Sequence, residues 1–255
     1  MKIATRNTVV VVPTFNEADN IPKLVETVFG LYPDIHFLIV DDRSPDGTGE
    51  IVRGLQPCHP NLELLPRTGQ QSFGGSYRDG FRKVLAAEWC QAIVTMDADF
   101  SHDPAVIAKL LDLLEANDVV LGSRYVAGGS VRNWALRRRL LSRSANFYVR
   151  TVLGLPIRDV TSGFMAMRKR ALAALRLDAI ASDGYAFLVE LKYTLFRQGC
   201  RFREYAIRFE ERREGESKMS MGKIWESVWL PWRIRLGAAA GAAQESQTAT
   251  RRQRP

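Results

Sequence analysis

Cysteine is scarce in this chain of 255 residues: there are three, Cys58, Cys90 and Cys200, widely spaced and with no CxxC pair. An odd number so placed argues against a disulfide framework and a cysteine zinc site, and it fits a reducing compartment. No run of about 18 uninterrupted apolar residues occurs, so no transmembrane helix is expected. The few apolar residues before Pro13 are too short a run for a secretory signal core, and the protein is expected to stay inside the cell. Histidine is limited to His36, His59 and His102, without mutual ligand spacing, and only His102, beside Asp99 and Asp103, lies near a suspected site. Also missing are a GxSxG elbow, a P-loop lysine and GxGxxG spacing, which argues against a Ser/His/Asp hydrolase, P-loop ATP hydrolysis and dinucleotide binding. With 46% apolar and 25% charged residues, the composition is that of a globular protein with a packed core.

What is present is βαβ grammar, in which short aliphatic runs alternate with helical periods. Thr8 to Val12, His36 to Val40, Leu62 to Leu65, Ala92 to Met96 and Asp118 to Leu121 read as strands, the last stopped by Gly122. Helical spacing follows the first strand at Ile21, Leu24, Val25 and Val28, recurs from Gly75 to Ala87, and begins again at Pro104, a first-turn residue. Such alternation predicts an α/β fold with a mostly parallel sheet flanked by helices, whose ligands bind beyond the carboxyl ends of the strands. Beyond Arg124 the pattern changes to a glycine turn at Gly128 and Gly129, an arginine-rich helical stretch through Val152, a short strand around Gly163 to Met167 and a helix over Tyr185 to Arg197. Cys200 to Phe209 reads as a further strand and Glu210 to Met221 as a mobile loop.

Acidic residues gather at the strand ends. Asp41 and Asp42 follow one strand, and Asp97-Ala98-Asp99 follows another. Grouped carboxylates repel one another unless a cation neutralises them, so Asp97 and Asp99 point to Mg²⁺ or Mn²⁺ completed by substrate phosphate oxygens. Asp46 and Asp103 read instead as turn and helix-capping residues. Conversely, no acidic residue stands between Asp118 and Asp159, where Arg124, Arg132, Arg137, Arg138, Arg139, Arg143, Arg150 and Arg158 accumulate. The planar guanidinium suits phosphate oxygens, and one or two of these side chains are expected to touch an anionic ligand. The net charge of +8 favours anionic partners in general.

Seven ordered segments, VVVPTFNEADNI, IVDDRSPDGTGEI, MDADFSHDP, GSRYVAGG, VTSGFMAMRKRAL, DGYAFLVELKY and REGESKM, resemble the dolichyl-phosphate or polyprenol-phosphate mannosyltransferases of glycosyltransferase family 2. The resemblance implies a GT-A type nucleotide-sugar-binding fold, a divalent metal, a nucleotide-sugar donor, GDP-mannose in the first instance, inversion at the anomeric carbon and a polyprenyl or dolichyl phosphate acceptor. Carried over by position, Pro13, Thr14, Glu17 and Asp42 hold base and ribose. Asp97, Ala98 and Asp99 form the DxD motif at metal and diphosphate, with Ser101 standing where some relatives place glutamine near the metal. Arg124 and Arg138 bind phosphates, as do Arg212 and Lys218 in a flap. The sequence departs from the family pattern at Gln70 and Ser72, where relatives usually carry a lysine and the first glycine of GLG.

A single domain over 1–241 is therefore expected, with a nucleotide-sugar half at 8–123, an acceptor half and flap at 124–223, and a tryptophan-rich segment at 224–241. That segment either lies on a membrane surface or packs on the core. The stretch 242–255 lacks large apolar residues and is expected to be disordered. The expected location is the cytoplasmic face of a membrane, held peripherally or by a membrane-protein partner, without nucleic acid. Two alternatives stand beside this reading: a family 2 transferase using UDP-glucose or a UDP-aminosugar, and a non-catalytic nucleotide- or nucleic-acid-binding protein.

Overall fold

The computed structural model describes residues 3–210 and 229–237. Seven strands form the central sheet: β1 (Thr8–Thr14), β2 (His36–Asp41), β3 (Leu62–Pro66), β4 (Ala92–Thr95), β5 (Val119–Ser123), β7 (Met165–Arg168) and β8 (Phe202–Ala206). Their order is β3-β2-β1-β4-β7-β5-β8, and every neighbouring pair is parallel except those of β7, which runs antiparallel to β4 and β5. A separate ribbon pairs β6 (Ser130–Arg132) with β9 (Arg208–Glu210). The helices are α1 (Ile21–Leu31), α2 (Thr48–Leu55), α3 (Phe73–Ala86), α4 (Ile107–Leu113), α5 (Leu136–Leu153), α6 (Lys169–Ala173) and α7 (Tyr185–Arg197). This is the α/β architecture expected of the sequence.

The continuous apolar runs of β1 and β2 are explained by helices on both faces of the sheet. Val9, Val11, Leu38 and Val40 pack with Phe81, Val84 and Leu191 of α3 and α7, while Val10, Val12, Phe37 and Ile39 pack with Leu24, Val25 and Leu110 of α1 and α4. Because side chains alternate along a strand, one run serves two cores. Helix α3 lies so close to the sheet that a Cβ on Gly80 would fall 2.8 Å from Val11 Cγ1 and 3.0 Å from Val40 Cγ2.

Two local expectations need correction. Gly122 does not stop the fifth strand, which runs on through Ser123; it is glycine because a Cβ there would lie 2.9 Å from the Phe164 ring and 3.1 Å from Ile207. The segment from Cys200 to Phe209 is not one strand either. It divides at Ile207, whose N–H donates to Ser123 O and whose carbonyl accepts from Ser130 N, both at 3.0 Å, so that the chain leaves the main sheet for the ribbon.

Helix α5 is the least covered element, with only Asn146, Val152 and Leu153 buried along its length. The helical residues 229–237 pack beside it: Ile234 is buried, Trp232 Nε1 donates to Tyr148 Oη at 3.0 Å, and Arg235 Nη1 donates to Val152 O at 2.5 Å. Trp229 and Leu236 remain exposed, so this part of the tryptophan-rich segment has one packed and one open side. Its residues 224–228, the expected mobile loop from 211 onward and the expected disordered tail at 242–255 lie outside the described residues. Among the described residues no helix is long and apolar enough to cross a membrane, and Cys58, Cys90 and Cys200 are all free thiols.

Candidate active site

The carboxyl ends of β1, β2 and β4 open onto one cavity of about 520 Å³, into which Pro13, Thr14, Glu17, Asp42, Asp97, Ala98 and Asp99 converge. Its remaining walls include Gln71, Ser72 and Phe73, at the start of α3, and Asp183 with Gly184, before α7. Seven residues proposed from sequence thus share a single concavity at the place the parallel sheet dictates.

Each carboxylate is held differently. Thr14 Oγ1 donates to Asp41 Oδ1 at 3.1 Å, and Asp41 also accepts from Ser44, so Asp41 ties two strand ends together. Asp42 accepts the Ser72 N–H at 2.7 Å and the Arg67 guanidinium at 2.5 Å, while Arg67 also donates to Asp79 at 2.8 Å. Asp46 and Asp103 serve local turns, Asp46 bonding Thr48 and Ala18 and Asp103 capping the turn at Ala105.

The Asp97 N–H donates to Nδ1 of His102 at 3.0 Å. Since that nitrogen accepts, the neutral ring carries its proton on Nε2. Burial holds His102 below its usual pKa, and its ring stacks on Phe164 at 5.0 Å between centroids. Phe100, with φ +61°, turns the chain so that Asp99 Oδ1 accepts the Ser101 N–H at 2.9 Å.

Burial raises the pKa of the Asp97 carboxyl, and the charge of Asp99 adds in the same direction. Glu17 is raised by burial too, with Asp99, Asp97 and Asp46 adding to it against a hydrogen bond from Asn20. No lysine or arginine is among the described residues lining the cavity. Arg67, behind the wall, balances Asp42, but no cation among the described residues is ion-paired with Asp97 or Asp99, the neighbouring His102 being neutral. Among the described residues no three His, Cys, Asp or Glu side chains cluster as a complete metal site. Two hard oxygen donors, Asp97 and Asp99, beside a cavity of this size do fit Mg²⁺ or Mn²⁺ whose other ligands come from a phosphorylated substrate.

Other proposed residues lie elsewhere. Ser101 is buried behind Asp99 and is not among the cavity's lining residues. Arg124 forms a two-pronged ion pair with Asp159, Nε to Oδ2 at 2.8 Å and Nη2 to Oδ1 at 2.7 Å, and Nη2 also donates to Thr161 Oγ1 at 2.8 Å. Burial alone would lower its pKa, but the Asp159 hydrogen bond and charge prevail and raise it. Arg138 joins it at an aromatic group: the two guanidinium carbons lie 5.8 Å (Arg124) and 4.2 Å (Arg138) from the Trp134 ring centre. The structure therefore brings the two arginines together around Trp134, apart from the lining of the carboxylate cavity. Arg212 and Lys218 lie outside the described residues.

Arg67, Asp159, Asp183 and Lys192 carry structural weight that the sequence reading missed. Asp183 Oδ1 accepts both the Gly74 N–H and the Ser72 hydroxyl at 2.7 Å, occupying the start of α3 with a carboxylate of the protein's own. Lys192 is fully buried and donates to Val160 O at 2.8 Å and Ser162 O at 2.6 Å, pinning the loop that carries Asp159. Two signals were available: Asp159 ends the long acid-free stretch, and Lys192 falls on the apolar face of its helix, four residues after Leu188 and three before Leu195.

Comparison with known proteins gives the family and supports the fold. The model of the glycosyl transferase family 2 matches residues 9–176. A polyprenol monophosphomannose synthase of Mycolicibacterium smegmatis is 41% identical over 91% of this chain and 88% of its own. An undecaprenyl-phosphate mannosyltransferase of Micrococcus luteus is 39% identical over 89% of this chain and 98% of its own. Among solved structures, a mannosyltransferase of Pyrobaculum calidifontis in complex with GDP-mannose and Mn²⁺ shares the fold, with TM-score 0.55 and 17% identity over 94% of this chain and 75% of its own.

Proposed function

The chain belongs to glycosyl transferase family 2, and on that premise we propose that it moves mannose from GDP-mannose to a polyprenyl phosphate, with inversion at the anomeric carbon. The observation that carries this reading is the meeting of Asp97 and Asp99 with Pro13, Thr14, Glu17 and Asp42 in one cavity, in a chain whose curated relatives make mannosyl lipids. In this reading Asp97 and Asp99 hold the divalent ion, the Ala98 backbone lies along the diphosphate, and Pro13, Thr14, Glu17 and Asp42 border base and ribose. When bound, Mg²⁺ or Mn²⁺ neutralises charge on the departing diphosphate.

The protein's own groups orient and balance the reactants. Arg67 and the Ser72 N–H fix the Asp42 carboxylate, and the Ser101 N–H fixes Asp99, so both face the donor without rearrangement. Asp159 and Thr161 take up the Nε and Nη2 edge of Arg124 and so fix its charge beside Trp134, where Arg138 stacks, and the reading sets the acceptor phosphate near these two cations, with Arg212 and Lys218 assigned to the same anions. A phosphate monoester is already ionised at neutral pH, so its oxygen attacks the anomeric carbon without a protein base taking a proton. Catalysis then rests on position and charge balance. A lipid acceptor calls for work at a membrane, and the reading has the enzyme held there peripherally, on the cytoplasmic face.

The test is incubation with undecaprenyl phosphate, Mn²⁺ or Mg²⁺, and separately GDP-mannose, UDP-glucose or UDP-N-acetylglucosamine, followed by mass spectrometry of the lipid. A gain of one hexose from GDP-mannose alone, abolished by chelator, is expected. Product from UDP-glucose alone would replace mannose by glucose, and no lipid product from any donor would end the reading.

A further inference from the structure

A second cavity, of about 420 Å³, is used by none of the chemistry above. Tyr125, Asn146, Phe147 and three arginines, Arg143, Arg150 and Arg158, line it. Arg143 and Arg150 stand seven residues apart, on one face of α5, with Phe147 between them and the Arg150 guanidinium 5.5 Å from its ring centre. Among the described residues none of the three guanidiniums is paired with a carboxylate. The Glu204 carboxylate, bonded to this segment, spends its oxygens on the backbone N–H groups of Arg158 and Asp159, at 2.8 and 2.9 Å. Helix α5 itself carries no acidic residue. Three cations facing one concavity repel one another, and an anion offsets that repulsion.

The surroundings say which anion. The stripe that holds Arg143, Phe147 and Arg150 continues back along α5 through Leu140 and Leu136, and Leu136, Leu140 and Phe147 are 72%, 57% and 61% exposed. Trp229, Trp232 and Leu236 are also exposed, on the neighbouring helical segment that Trp232 joins to α5 through Tyr148. Arginines set among open leucines and tryptophans match the boundary between headgroups and acyl chains, whereas a dissolved phosphate or a nucleic acid would leave the apolar residues in water.

We propose that this cavity is a headgroup site for an anionic phospholipid, seating α5 on the bilayer next to the acceptor-binding arginines. The proposal rests on the lipid-acceptor reading above for the presence of a bilayer. The cavity's floor makes the link to the reaction: Asn146 Nδ2 donates to Thr161 Oγ1 at 3.1 Å, and the same hydroxyl accepts from Arg124. A headgroup held by Arg143 and Arg150 is therefore one hydrogen-bonded relay from Arg124, and docking sets the depth at which the acceptor's phosphate meets it.

The experiment is flotation of the full chain with phosphatidylcholine vesicles, with and without phosphatidylglycerol and free of prenyl phosphate. Arg143→Ala/Arg150→Ala is compared with Arg137→Ala/Arg139→Ala, a pair that removes the same charge from the same helix outside the cavity. Phosphatidylglycerol-dependent binding is expected to fall roughly tenfold or more in the cavity pair and by no more than about threefold in the control pair. Equal losses would reduce the effect to general surface charge and overturn the site, as would wild-type binding that ignores phosphatidylglycerol. Transfer to a short, water-soluble prenyl phosphate in detergent is expected to be unchanged in the cavity pair. A raised KM for that acceptor would assign the cavity to the acceptor's phosphate and overturn the headgroup assignment. Flotation needs neither donor nor acceptor, so failure of the transfer reading is seen separately from failure of this one.

Discussion

At the carboxyl ends of β1, β2 and β4 the acidic residues are held from inside the protein: the Asp42 carboxylate by Arg67 and the Ser72 N–H, the Asp99 carboxylate by the Ser101 N–H, and Asp97 at its backbone N–H by His102. Along α5 the relation is reversed, because arginines and leucines stand in solvent with few internal partners. The first region is a preorganised receptor whose lining carries carboxylates and no lysine or arginine. The second is a surface arranged for something outside the chain. Between them stands Arg124, a cation from the basic stretch drawn into the interior by Asp159 and kept within electrostatic reach of Asp97.

The most severe way to break this contrast is to remove charge from the receptor. Asp99→Asn should lower kcat by about a thousandfold or more while the melting temperature stays near wild type, since the side chain borders the cavity and supports no distant element. Comparable transfer rates in the two proteins would remove the paired carboxylates from the mechanism. Next in size is the link between the regions. Asp159→Ala strands a buried guanidinium and should cost about 3–5 kcal/mol in urea unfolding, whereas a loss under about 1 kcal/mol would mean that Arg124 finds solvent instead.

Lys192→Met tests the loop beneath that pair, leaving Val160 O and Ser162 O without their donor for about 1–3 kcal/mol at the alkaline end of the profile, where the amine is neutral in the folded and the unfolded chain. Burial pulls the Lys192 pKa from its ordinary 10.5 down to about 7. Between those values the unfolded chain binds the proton more tightly than the native one, so this residue makes wild-type stability rise with pH across that window. Urea midpoints at several pH values should show that rise in wild type and a flatter profile in the variant; parallel profiles would contradict it. The smallest effect is expected at the edge of the cavity. Ser72→Ala deletes the cap that accepts the Gly75 N–H at 2.8 Å and should cost about 1 kcal/mol, read by chemical denaturation.

The same contrast explains what could be read from sequence. β1, β2, β4 and the Asp97-Ala98-Asp99 turn are local patterns, an apolar run followed by carboxylates, and their convergence follows from parallel-sheet topology alone. His102 sits five residues from Asp97, near enough to be suspected, though only the geometry gives its tautomer. Arg67 with Asp42, Asp183 with Ser72, and Asp159 with Arg124 join residues 25, 111 and 35 positions apart, and nothing local announces them. Gly122 reads locally as a strand breaker, while its true constraint is the approach of Phe164 and Ile207 from elsewhere in the chain. In the arginine-rich stretch, composition gave the sign of the partner but not which guanidinium would be buried. That was decided by Asp159, beyond the far end of α5.

Calorimetric titration of GDP into the protein with Mn²⁺ and then with chelator tests the central claim, that Asp97 and Asp99 receive a metal-borne diphosphate. Affinity should be about tenfold or more higher with Mn²⁺ in wild type, and independent of metal in Asp99→Asn. Because burial raises the Asp97 pKa, the Mn²⁺ enhancement should also fade on acidification at a pH above that of an ordinary aspartate. GDP binding that is equally tight with and without metal in wild type, or a metal enhancement that survives Asp99→Asn, would contradict the account.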